Sequence, residues 1–223
     1  MSINNKQNVR CPKCGQLNDI TVWNSITVKD SPDLKEDLLK GRVNIFRCSV
    51  CAHTAIMPTP LLYNDEDKKL MISFSPCDDP LKKDKLYSEI KSSSKASGEL
   101  KRFEGYNLRF VTDFNAFLEK ILIFDLDLND KVIEVIKFMI LSQEIEKSNR
   151  RVCRFGKMDG GVMEFMIHDS EENQIYTSQV PKETYDTLWK SLRDSGVKPY
   201  SFDWEIVDGA YAGRLLNGFN NNK

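Results

Sequence analysis

The chain has little of what most function assignments start from. Its 223 residues include two histidines, His53 and His168. Neither has a partner at a spacing that marks a catalytic set. No run approaches the ~20 apolar residues of a membrane span. The most apolar stretch, Val132 to Leu141, is broken by Glu134 and Lys137. The opening MSINNKQNVR has no apolar signal core, so the expected location is the cytoplasm, with no membrane partner. No GxxxxGK[ST] phosphate loop occurs; Gly156 to Gly161 holds a lysine without that frame. Charge of one sign is missing too: 32 basic and 33 acidic residues leave −1, which argues against wholesale gripping of nucleic acid.

What is present is a globular composition, 40% hydrophobic and 29% charged, and six cysteines. In a reducing compartment these are metal ligands or buried thiols before they are disulfides. Cys11-Pro12-Lys13-Cys14 and Cys48-Ser49-Val50-Cys51 are two CxxC pairs. Two residues between cysteines let a tight knuckle aim both sulfurs at one point. Two knuckles supply four thiolates, the closed tetrahedral set that a structural Zn²⁺ takes at ~2.3 Å per bond. One Zn²⁺ per chain on Cys11, Cys14, Cys48 and Cys51 is the expected cofactor. A Cys-Pro-X-Cys can also be a reactive dithiol, but that opens a helix in a βαβ unit, and none is visible here. Gly15 suits the positive φ just past a knuckle, whereas Ala52 holds the matching place in the second knuckle less comfortably.

The elements read as α+β: a zinc-ribbon-like, β-rich N-terminal domain with an inserted helix, then a helical segment, then a meander-plus-helix region. Expected strands are Ile20 to Val28, Val43 to Phe46 and Leu70 to Phe74. A helix opens at Ser31-Pro32 and closes at Gly41. Ser92 to Gly98 is low-complexity and reads as a linker or exposed loop. The domains are then 1–91, a linker 92–98 and an α+β region 99–223. Phe114, Phe117, Leu118, Ile121 and Leu122 form one helical stripe. Asp130 to Lys147 is a longer helix, apolar nearly all round. Arg151 to Phe155, Val162 to Ile167 and Gln174 to Ser178 form a meander. A helix starts at Pro181 and ends before Gly196, Phe202 to Val207 is a final strand, and a short helix follows near Gly209 to Leu216. Asn220 to Asn222 fray.

The text around the knuckles resembles the CpXC proteins. It carries Cys11-Pro12-Lys13-Cys14-Gly15, Val22-Trp23-Asn24-Ser25-Ile26, Phe46-Arg47-Cys48, Leu61-Leu62-Tyr63-Asn64-Asp65 and Lys69-Leu70-Met71-Ile72. Arg109-Phe110-Val111-Thr112 and Ile123-Phe124-Asp125 extend the likeness, which is weakest after about residue 150. Ala52 departs from it, where the pattern usually has glycine. The resemblance implies a bacterial cytosolic protein with a zinc-ribbon-like start, and it brings no established activity.

Other candidates have plainer readings. Cys153 sits in a strand pattern and reads as a core thiol. His53 reads as an ordinary exposed histidine, although it could replace a sulfur or touch a partner. Asp125-x-Asp127-x-Asn129 fails as a Ca²⁺ loop, because Asp130 and Ile136 stand where glycine and glutamate are needed. Glu171-Glu172 and Asp78-Asp79 read as solvated turns. Trp23, Arg47 and His53 lie near the knuckles and are candidate partner-binding residues. The favoured function is a non-enzymatic zinc protein acting through a protein partner or a homo-oligomer. Nucleic-acid binding is the alternative, not favoured by the +2 on residues 1–76. An enzyme with a site dispersed over residues 100–223 is the third reading.

Overall fold

A computed structural model describes residues 1–96, 98–143 and 150–220. The α+β class holds. The chain divides into two compact units, residues 1–118 with 202–204, and residues 119–201 with 205–223.

In the first unit, β1 (Ile3–Arg10) and β2 (Leu17–Thr27) form an antiparallel hairpin, paired from Asn4↔Trp23 to Arg10↔Leu17. The end of β2 runs parallel to β5 (Leu61–Asp65), which turns back into β6 (Leu70–Phe74); β7 (Asn107–Val111) lies parallel to β6. The sheet order is β1-β2-β5-β6-β7. Parallel neighbours need a crossover. Between β2 and β5 that crossover is the helix α1 (Pro32–Leu39) and a small hairpin, β3 (Ile45–Arg47) with β4 (Thr54–Ile56). Between β6 and β7 it is α2 (Pro80–Ala96) and a 3-10 turn at Glu99–Phe103. The core is made by Val22, Ile26, Tyr63, Ile72 and Phe110, all buried. Phe117 stacks on Phe74 at 5.3 Å and meets the Tyr63 ring edge-on at 6.2 Å.

Three expectations for this unit are corrected. The strand expected from Val43 starts at Ile45, because Asn44 takes a left-handed φ of 54°. Its side chain does the pairing instead: Oδ1 accepts from the Trp23 N–H at 2.7 Å, and Nδ2 donates to the Trp23 carbonyl at 2.9 Å. The serine-rich stretch is the end of α2 as far as Ala96, not a loop. Ser88, Ser92 and Ser94 each donate to a carbonyl four residues back at 2.8 Å, which absorbs their polar groups within the helix. Gly98, at φ 67°, then turns the chain. Phe202 to Val207 is no strand; only Glu205 makes a single bridge. Its first part is held on α2. The Tyr87 hydroxyl donates to the Trp204 carbonyl at 2.7 Å, and the Trp204 indole donates to Ser94 Oγ at 2.8 Å. Backbone capacity spent this way does not go to a ladder.

In the second unit, β8 (Arg151–Asp159), β9 (Val162–Asp169) and β10 (Gln174–Pro181) form the expected meander in the order β10-β9-β8. Around it lie α4 (Asp130–Ser142), α5 (Lys182–Asp194) and α6 (Gly209–Asn220), with α3 (Phe114–Asp125) leading in. Asn129 caps α4, its side chain accepting from the Lys131 N–H, so the stretch from Asp127 to Asn129 connects two helices. Every position from Asp130 to Lys137 is buried. The helix was expected to reach Lys147; residues 144–147 lie outside the described residues, as do 221–222 of the fraying tail. Cys153 is buried beside Phe155, Met163 and Phe165.

Burying α4 on all sides also buries its charges. Lys120 Nζ lies 2.8 Å from Asp130, and Lys137 Nζ lies 3.0 Å from both Glu119 and Glu134. Glu119 also accepts from the Phe155 N–H at 2.6 Å. Burial pulls Lys137 toward its neutral form, but the carboxylates of Glu134 and Glu119 outweigh that and hold it above the usual lysine range. The acidic pair Glu171-Glu172 is not simply solvated, because Arg150 bridges both residues to the buried Asp169.

Candidate metal centre

The two CxxC pairs sit at the tips of two hairpins of the first unit. The first joins β1 to β2, whose last pair is Arg10↔Leu17; the second joins β3 to β4, whose last pair is Arg47↔Thr54. The turns repeat one hydrogen-bond pattern. The Cys11 N–H donates to the Gln16 carbonyl at 2.8 Å, and the Gly15 N–H returns to the Cys11 carbonyl at 2.9 Å. In the second turn Cys48 donates to His53 at 2.9 Å, and Ala52 returns to Cys48 at 3.1 Å. The pattern needs a left-handed residue at its fifth position, and Gly15 (φ 75°) and Ala52 (φ 54°) supply it. For alanine that conformation costs ~1–2 kcal/mol, so the expected discomfort of the second knuckle is real.

The sulfurs converge. Cys11 Sγ lies 3.6 Å from Cys51 Sγ, and Cys14 Sγ lies 3.5 Å from Cys48 Sγ. All four lie within 4.8 Å of one another. None is disulfide-bonded. A tetrahedron of ~2.3 Å metal–sulfur bonds has edges of about 3.8 Å, so the spacing fits four ligands around one ion. Among the described residues this is the one group of three or more cysteines, histidines or carboxylates placed to hold a metal ion. Cys11 and Cys48 are buried, Cys51 is half-buried and Cys14 is exposed. Phe46, Val9, Ile20 and Met57 pack around them, a small apolar shell.

Four thiols this close resist sharing four negative charges. Backbone N–H groups of Cys51 and Val50, with the neighbouring thiols, draw Cys48 down to about 6 against its desolvation. At Cys14 the Gln16 N–H favours the thiolate, but desolvation and the three other sulfurs prevail and hold it up at about 12. A divalent cation removes that conflict.

The residues proposed from sequence to meet a partner are dispersed in environment. Arg47 is exposed on β3. Trp23 is half-buried on β2, its backbone tied to Asn44. His53 is not the exposed residue expected: it is half-buried, its ring centroid 6.4 Å from that of Phe46, and it is not part of the sulfur cluster. Cys77 and Cys153 stand apart from the cluster. Cys77 donates to the Asp79 carbonyl at 3.3 Å, and burial pushes the Cys153 thiol up to about 12. Asn18 was missed. It is buried on β2 and touches both knuckles. An asparagine four residues past a CxxC carries no spacing rule that would single it out.

A profile of the CpXC protein family matches residues 9–137, which includes all four cysteines. No curated protein and no solved structure matches the chain.

Proposed function

Since the chain belongs to the CpXC family, and its four cysteine sulfurs converge within one coordination sphere, we propose that it is a non-enzymatic zinc protein. The observation that carries the reading is the sulfur cluster. Four soft donors at tetrahedral spacing, with no histidine or carboxylate in the cluster among the described residues, fit a closed structural Zn²⁺ site rather than a catalytic one. The ion's task is to lock two hairpins whose own apolar shell is small. In this reading Cys11, Cys14, Cys48 and Cys51 are the ligands, and the domain works in a reducing cytoplasm.

The locked hairpins present a surface. Leu17 and Val50, at the two hairpin tips, expose 50% and 68% of their area. Arg47 and Lys13 are exposed beside them. Apolar side chains interspersed with cations suit a protein partner or a second copy of the chain. Native mass spectrometry of the protein from its own host, under reducing conditions, tests both parts. One zinc per chain with a protein partner or a defined homo-oligomer is the expected result. A metal-free monomer refutes the reading, and salt-sensitive retention on oligonucleotides would replace the protein partner with nucleic acid.

A further inference from the structure

We infer that Asn18 is a positioning residue for the metal centre, joining the two knuckles through one amide and relieving the negative charge on the Cys48 sulfur; this rests on the metal-centre reading above. Asn18 is 7% exposed. Its Nδ2 donates one hydrogen to the Gln16 carbonyl at 2.9 Å, inside the first knuckle. The other points at Cys48 Sγ, 3.8 Å away, in the second. Its Oδ1 accepts from the Ser49 N–H at 2.8 Å and from Ser49 Oγ at 2.9 Å. Two donors and two lone pairs are the full capacity of a side-chain amide, and all four are used.

Two consequences follow from that geometry. The turns that carry the ligands are cross-linked before any ion arrives, so less ordering remains for binding to supply. The N–H aimed at Cys48 also draws electron density from that sulfur, lightening the charge that four thiolates concentrate on one ion. Groups that orient and tune ligands in this way typically change metal affinity by ~10–100-fold when removed.

Cobalt(II) titration of the full-length protein, in competition with a chelator, separates the possibilities. Asn18→Asp keeps the side-chain size and the acceptor for Ser49 but removes both amide hydrogens, the one aimed at Cys48 and the one given to Gln16; Asn18→Ser removes the first without adding charge. Binding ~10–100-fold weaker than in the native chain is expected, with the thiolate-to-cobalt charge-transfer band moved to lower energy. Ser49→Ala leaves that hydrogen in place, so its band should not move. If Asn18→Asp does not fold, Asn18→Ser, too short to reach the sulfur, gives the same two readouts. Native protein that yields no thiolate-to-cobalt band refutes the metal centre itself. Native protein that yields one, with an Asn18 variant matching it in affinity and band position, overturns the role of Asn18 alone. Weaker binding with an unmoved band also overturns it, because that is what loosened packing would produce.

Discussion

The second unit and the hairpin end of the first solve the problem of a stable interior in opposite ways. The second unit buries a long list of apolar side chains from α4, β8 and β9, and sets Lys120 and Lys137 among Asp130, Glu119 and Glu134. The hairpin end of the first unit buries only Cys11, Phe46 and Cys48 as a cluster, with four partly buried neighbours. A shell of that size cannot hold two hairpins against chain entropy. Where apolar area is scarce, the proposed metal ion would supply the cross-link. Where it is plentiful, charges can be buried, provided each meets a partner.

Removing one ligand should break the contrast most visibly. Zinc contributes on the order of 10 kcal/mol in zinc-finger peptides, so Cys48→Ser should abolish metal content and expose residues 1–76 to limited proteolysis. The β8–β10 meander should stay protected, with fragments read by mass spectrometry. The reciprocal change is Lys137→Met. It takes the nearest cation from Glu119 and Glu134, leaving Arg154 at 3.8 Å from the first and Lys120 at 3.9 Å from the second, and should cost up to ~3–5 kcal/mol, measured by urea unfolding, with metal content unchanged.

Acid should sharpen the difference further. Burial would raise Asp169, yet Arg151, the Glu172 and Glu171 N–H groups and Arg150 hold it down at about 2. An unfolded aspartate titrates near ~3.9. Its contribution is therefore complete above about pH 4 and is lost as pH falls toward 2. Asp169→Asn should flatten the acid limb of the second unit's stability curve, followed by Trp189 fluorescence. The smallest expected effects lie within the metal end. Ala52→Gly relieves a left-handed alanine and should stabilise the domain by about 0.5–1 kcal/mol, while Gly15→Ala, where no atom crowds a new Cβ, should cost about 1–2 kcal/mol. Thermal melts of the metal-loaded protein read both.

The convergence of the four cysteines was legible because CxxC spacing is a local geometric rule, and the turn residues Gly15 and Ala52 followed from it. The meander and the buried helix α4 were legible from periodicity alone. What escaped was non-local. β1, INNKQNVR, has no apolar residue between Ile3 and Val9, so no alternation marks it, and it forms its strand by pairing with β2. The serine run became helix by folding its hydroxyls back on α2. Trp204 left its strand pattern because Tyr87 and Ser94, far off in sequence, take its carbonyl and indole. Asn18 and Asn44 gain their roles only once two hairpins are side by side.

Zinc K-edge X-ray absorption on the protein as purified tests the central claim most directly. The account expects four sulfur scatterers at ~2.3 Å and no nitrogen or oxygen in the first shell. A mixed nitrogen–oxygen shell, or no bound zinc, would contradict it.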